Sequence, residues 1–252
     1  MAWDHTLARA LPAGRGVVRL YRWIRPTLSF GRNEPAREAF DPDRVAARGV
    51  DVVRRPTGGR AVLHDQEVTY AVVAPIRSLG GARAVYRKVN QGLVEGLAEL
   101  GASVALAGPG PALPPDAGPC FQEAAEGEVV AGARKLVGSA QVRVGTAVLQ
   151  HGSILLGDGQ GRIEALKRAG SETDPGPGGS DPVDAGGLRG LLGRDVTPGE
   201  VVAAVSAGLR RVLGGDWRPT RAGASLEETD LPSDPEPELL ARYRSPEWSW
   251  RR

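Results

Sequence analysis

Two rhythms of apolar residues run along this chain. Gly16 to Trp23 (GVVRLYRW) alternates and is rich in β-branched and aromatic residues, which predicts a strand; Thr27 to Gly31 predicts a second after the turn at Pro26. Val50 to Arg55, Val62-Leu63 and Glu67 to Ala74 extend the strand pattern, with turns at Pro56-Thr57-Gly58-Gly59 and at Pro75. Further strands are expected at Glu128 to Ala131, Lys135 to Arg143 and Ala147 to Leu156. The helical rhythm appears three times. Asp41 to Arg48 starts on Asp-Pro and stops at Gly49; Val85, Val89, Leu93, Leu97 and Leu100 share one face of Ala84 to Leu100; Pro198 to Leu213 follows the cap candidate Thr197. Strands outnumber helices and short turns join most of them. The expected class is therefore α+β: a mainly antiparallel mixed sheet with flanking helices.

Two stretches break both rhythms. Gly108 to Pro119 (GPGPALPPDAGP) reads as an irregular loop leading to Cys120, and Gly170 to Gly187, rich in Gly, Pro, Ser and Asp, reads as a mobile excursion. The tail from Pro232 is rich in Pro and Glu, but Leu239, Leu240, Trp248 and Trp250 suggest that it docks. The expected organisation is a catalytic domain over 1–215 and a tail over 216–252 packed on that same domain.

Composition narrows the chemistry. The 252 residues are 41% hydrophobic and 25% charged, ordinary for a soluble globular enzyme, and no apolar run reaches the length of a membrane span. No signal-peptide pattern follows Met1, so the expected location is the cytoplasm. One cysteine excludes an internal disulfide framework and a multi-thiolate metal site, and His5, His64 and His151 are too scattered to suggest zinc. No metal is expected. Basic groups exceed acidic ones by 32 to 30, too small a margin to draw nucleic acid. Lysine occurs only at Lys88, Lys135 and Lys167, so each one invites inspection.

Three segments carry candidate chemistry. The first runs from Arg54 through Thr57, Gly58, Gly59 and Arg60 to His64. Paired glycines between strands let backbone amides approach a ligand, and arginines suit a phosphate or carboxylate. The second is Lys135-Leu136-Val137-Gly138-Ser139-Ala140-Gln141, where a lysine enters an apolar strand at a desolvation cost. The third is His151-Gly152-Ser153, polar within a strongly apolar strand. Taken singly, each has an ordinary reading: a tight turn with solvated arginines, an outward lysine, a buried histidine held by carbonyls.

Taken together, the three resemble the biotin/lipoate protein ligase superfamily, whose acyl-binding site combines an Arg-Arg-x-Thr/Ser-Gly-Gly turn, a Lys-x-x-Gly-Ser-Ala strand and a His-Gly-Ser/Thr strand. The resemblance spans Leu20 to Leu156 and, more weakly, Arg242 to Trp248. It is nearest to the cysteine-dependent octanoyltransferases related to lipoate–protein ligase A, through Cys120-Phe121, Gly58 to Ala61, Thr69-Tyr70, Gln141 and Gln150. Arg60 stands where ATP-dependent ligases usually have a third glycine, and Gln66-Glu67 where they place Gly-Asn. The Gly-Arg-Gly-Arg loop of biotin ligases is absent. Met1-Ala2-Trp3-Asp4 matches the opening of a helix that an additional strand precedes in relatives.

The resemblance implies the biotin/lipoate protein ligase catalytic domain. It also implies a reaction in which an octanoyl group passes from acyl carrier protein to Cys120 and then to a lysine of a lipoyl-carrier protein, either the glycine-cleavage H protein or a dehydrogenase E2 lipoyl domain. A free cysteine has a pKa of about 8.5, and Lys135 is the implied cation that favours its thiolate. Gly58-Gly59 and Gly138-Ser139 are alternative oxyanion donors. Arg54, Thr57, Gly58, Gly59, Arg60, His64, Gly138, Ser139, Ala140, His151, Gly152 and Ser153 are the implied substrate-binding set. Neither half-reaction needs a nucleotide or metal, so no cofactor is expected. Three alternatives stay open: an ATP-dependent lipoate–protein ligase, an amidotransferase between lipoyl carriers, and a non-catalytic binder of acylated carriers.

Overall fold

A computed structural model of the chain describes residues 1–77, 79–109, 121, 124–168, 187–220 and 231–251. The chain opens with helix α1 (Ala2–Arg9), followed by strands β1 (Val17–Tyr21) and β2 (Thr27–Phe30). Two short helices, α2 (Ala36–Ala39) and α3 (Pro42–Ala47), lead into β3 (Asp51–Arg54), β4 (Val62–His64) and β5 (Glu67–Pro75). The start of α3 is set by Asp41, whose carboxylate accepts from the amides of Asp43 and Arg44, with Pro42 in the first turn.

Helix α4 (Ala82–Glu99) then gives way to β6 (Ala105–Leu106), β7 (Val129–Ala131), β8 (Arg134–Val144) and β9 (Ala147–Leu155). A 3-10 helix (Gln160–Leu166), α5 (Leu188–Leu192), α6 (Pro198–Leu213), α7 (Pro237–Arg244) and α8 (Pro246–Ser249) complete the order. The Gly-rich stretch from Gly170 lies outside the described residues up to Gly187.

Two sheets form. Six strands in the order β1-β5-β9-β8-β7-β6 pair antiparallel throughout. A smaller sheet, β3-β2-β4, contains the parallel pair: β2 runs alongside β3 because α2 and α3 cross between them. The class is mixed α and β with a mainly antiparallel sheet and flanking helices.

Strand alternation gives the large sheet two different faces. On one, Val68, Val72, Val148 and Ile154 join Val85, Val89, Leu93 and Leu97 of α4 and Val201, Val205 and Leu209 of α6 in the main core. Glycine lets those two helices touch backbone to backbone: a Cβ on Gly208 would meet the Gly92 carbonyl at 2.2 Å, and one on Gly96 would meet the Ala204 carbonyl at 2.5 Å. On the other face, Ala71, Val73, Ala147 and Leu149 pack against Leu7 and Ala8 of α1. The small sheet has its own core, with Leu28, Phe30, Phe40 and Leu63 against Ile163 and Leu166 of the 3-10 helix. Gln160 fastens that helix to β4 by donating to the Leu63 carbonyl at 2.6 Å.

The C-terminal segment is held along its length. Glu236 donates its amide to Thr6 Oγ1 at 2.8 Å, Leu239 and Tyr243 are buried with Ala2 and Val53, and the Trp248 indole donates to the Arg54 carbonyl.

Candidate active site

The turn between β3 and β4 is organised by two arginines. Arg55 folds back inside it, donating to the Gly58 and Arg60 carbonyls at 3.3 and 2.8 Å and to both oxygens of Ser29, at 2.8 and 2.6 Å. Arg54 is fully buried and donates to the carbonyls of Gly31, Arg32, Glu34, Trp248, Ser249 and Arg251. Its guanidinium therefore bolts the turn to the C-terminal segment, and its donors are directed at protein carbonyls. Gly59 sits at a φ of 90°, and a Cβ on Gly31 would lie 1.7 Å from the Gly59 carbonyl, so both positions require glycine. Gly58 and Gly59 are exposed, whereas Thr57 is buried.

Thr57 connects this turn to the large sheet: its hydroxyl lies 2.7 Å from His151 Nε2 on β9. Burial pushes the His151 pKa down to about 3, with the neighbouring Arg55 lowering it further against the raising effect of Asp4. The ring is accordingly neutral near pH 7, and its Nδ1 has no hydrogen-bond partner among the described residues.

Beside it lies a second histidine network. Ser29 Oγ is 2.6 Å from His64 Nε2, and His64 Nδ1 is 2.8 Å from Glu67 Oε1. The same carboxylate oxygen accepts from Thr69 at 2.5 Å and from Ser153 at 2.9 Å. Because Arg55 already donates to Ser29 Oγ, the consistent arrangement has Ser29 donating to His64 and His64 donating to Glu67. Trp23 stacks on the His64 ring at 4.5 Å and donates to Thr69.

Pleating divides the two polar strand motifs between the faces. Gly138 pairs with Ser153 and Ala140 with His151, so these four share the face that receives Thr57. Ser139 pairs with Gly152 and points the opposite way, to the α4 side. There its hydroxyl meets Tyr70 at 2.6 Å and Asn90 Oδ1 at 3.1 Å, while Gln150 donates to both Tyr70 and Asn90. Gly152 makes room for the Tyr70 ring, 2.6 Å from where its Cβ would lie. Burial raises the Tyr70 pKa to about 12, so this phenol stays neutral.

Cys120 lies outside the described residues; Phe121, next in the chain, is described. Its ring packs with Val62 and Leu155 and fills the gap above Gly138, where a Cβ would be 2.9 Å from the ring edge. Lys135 Nζ is 5.5 Å from the same ring and 2.7 Å from Glu128 Oε2, with both charged side chains buried.

A family model described as the lipoyl protein ligase A/B catalytic domain matches residues 1–210. The chain belongs to this family. A relative named octanoyltransferase LipM from Kyrpidia tusciae is 37% identical, with 93% of this chain and 87% of that protein covered. Proteins of the same name from Carboxydothermus hydrogenoformans and Staphylococcus epidermidis are 35% and 32% identical, each covering 100% of this chain and 93% and 94% of their own length. Among solved structures, a lipoate-protein ligase A bound with ATP superposes at a TM-score of 0.77 and 22% identity, covering 99% of this chain and 92% of that one. A bipartite lipoate protein ligase from Thermoplasma acidophilum, described with its E2 lipoyl domain, gives 0.70 at 22%, covering 99% and 89%. At those identities the two structures bear on the fold alone.

In this lipoyl protein ligase A/B family member, sequence reasoning missed Glu128, Glu67, Ser29 and Asn90. Glu67 carried a readable signal, a carboxylate opening an apolar strand three residues after His64. Glu128 looked like a strand terminus, and only the β7–β8 hairpin places it against Lys135.

Proposed function

We propose that this protein is an octanoyltransferase of protein lipoylation, taking the octanoyl group from acyl carrier protein onto Cys120 and passing it to a lysine of a lipoyl-carrier domain. The observation that carries the reading is the seat of Phe121 over Gly138 with Lys135 beside it. Cys120 immediately precedes Phe121 in the chain. The relatives named octanoyltransferase support the substrate class.

In the first half-reaction the thiolate attacks the carrier thioester carbonyl, the carrier sulfur leaves as a thiolate and takes a proton from solvent, and an octanoyl-enzyme forms. The Lys135 ammonium favours the thiolate. In the second, the acceptor lysine's neutral amine attacks the enzyme thioester. An amide forms, the Cys120 sulfur leaves, and the amine's extra proton goes to solvent. His151, neutral and beside Thr57, is suited to meet substrate without adding charge to an apolar chain. Gly138, Ala140 and Ser153 line the same face. Backbone amides of Gly58-Gly59 or Gly138-Ser139 are the oxyanion donors of this proposal.

The test is transfer between purified carriers without ATP. Octanoyl-acyl carrier protein and a lipoyl domain should yield octanoyl-lipoyl domain, and Cys120→Ala should yield none. Product that needs free lipoate and ATP would instead favour the ligase.

A further inference from the structure

Glu128 joins the turn that precedes β7 to Lys135 of β8, the lysine that the proposed reaction uses. Its Oε2 lies 2.7 Å from Lys135 Nζ and accepts the Ala125 amide at 2.8 Å, while its own amide donates to the Ala125 carbonyl at 3.1 Å. The turn Ala125–Glu128 is thus closed by one side chain that also grips the lysine. Two further contacts keep the turn in place: Asn90 of α4 donates to the Gly127 carbonyl at 2.7 Å, and Ala107 donates to the Glu128 carbonyl at 2.7 Å. This turn lies a few residues beyond Cys120-Phe121. Among the described residues, the Phe121 ring faces the ion pair, with Lys135 placed over it, and Tyr70 of β5 feels the Glu128 charge and is itself neutral.

Burying two charges is costly unless each holds the other, and removing one strands its partner. Closing the turn does not itself require a charge, because a glutamine at position 128 could accept the Ala125 amide equally well. A carboxylate that reaches both the turn and the lysine fixes the ammonium relative to the turn that follows Phe121 in the chain. We infer that Glu128 is a positioning residue for acyl transfer, acting through Lys135. This rests on the reading above, in which Lys135 serves the reaction at Cys120.

The test is a double-mutant cycle on the full chain with Glu128→Gln, Lys135→Met and both together, reading the rate of octanoyl-enzyme formation, KM for octanoyl-acyl carrier protein, and the urea midpoint. Glutamine keeps the shape and an acceptor for Ala125 while removing the charge. Glu128→Gln should slow acyl-enzyme formation about tenfold at unchanged KM, the scale of a small misplacement of a reacting group. Adding Glu128→Gln to Lys135→Met should cost nothing further in rate, because the carboxylate then has no ammonium to place. Glu128→Asp, with a carboxylate but less reach, should recover part of the rate.

Rate losses that multiply in the double variant, or a Glu128→Gln rate equal to that of the unchanged chain, would overturn the inference. If Lys135→Met alone leaves the rate untouched, the assignment of Lys135 fails first, an outcome the cycle separates from failure of Glu128. Should Glu128→Gln not fold, the double variant and Glu128→Asp still complete the comparison.

Discussion

A single hydrogen decides whether Phe121 can sit where it does. Gly138 has none of the bulk that would push the ring away, and a methyl there would come within 2.9 Å of it. Gly138→Ala should therefore displace Phe121, costing about 1–3 kcal/mol of stability as over-packing does and slowing acyl-enzyme formation more than it slows folding. In a Phe121→Ala background, Gly138→Ala should cost little further stability because the ring it would meet is gone, while the rate should stay low; urea midpoints and single-turnover kinetics read the two separately. His151 makes a prediction in pH. Its folded pKa, about 3, lies below the unfolded value of about 6.5, so the unfolded chain binds the proton more readily and stability rises with pH. The contribution is complete above pH 6.5 and lost progressively toward pH 3, amounting to about 2 kcal/mol by pH 5 at 1.36 kcal/mol per unit. His151→Gln should flatten the dependence of the urea midpoint between pH 7 and pH 5. At this scale the sequence was half legible. Thr57, Gly138 and His151 stood out by type and spacing, but the pleat that sends Ser139 away from Gly138 and the carboxylate that meets Lys135 are properties of pairing.

Elements were more legible than contacts. The Gly and Pro punctuation and the helical periodicity located β1 to β5, α3, α4, β7 to β9 and α6 to within a residue or two. The cap at Thr197 is a full capping box with Glu200. Sequence periodicity missed the short pieces α2, β6, α5, α7, α8 and the 3-10 helix, because two to eight residues give too few repeats to show a rhythm. The division into two sheets was also invisible, since nothing local in β2 says that it joins β3 and β4 rather than β1. The α4–α6 crossing supplies a test at this scale. Gly208→Ala inserts a methyl 2.2 Å from the Gly92 carbonyl, so its gain in helix propensity should be overwhelmed and the urea midpoint should fall. Arg54→Met should loosen a different join. Six carbonyls lose a donor, three of them in the C-terminal segment, so amide exchange across residues 237–251 should accelerate before that of β5 or β9.

Across the whole molecule, the small sheet and its arginine-filled turn meet the large sheet at Thr57 and His151, and the strands behind that contact carry Lys135 and the seat of Phe121. The fold thereby sets Thr57 against His151 and Phe121 against Gly138 on one face of β8 and β9, with Lys135 beside the Phe121 ring. A fold shared with a solved lipoate-protein ligase A bound with ATP supplies the scaffold, and Cys120 is the residue on which the proposed transferase chemistry turns. Intact mass after mixing the protein with octanoyl-acyl carrier protein tests that claim most directly. One octanoyl mass should appear on the chain, map to Cys120, be released by hydroxylamine and pass to an added lipoyl domain. A chain that stays unmodified while octanoyl-lipoyl domain accumulates, or that transfers equally well as Cys120→Ala, would contradict it.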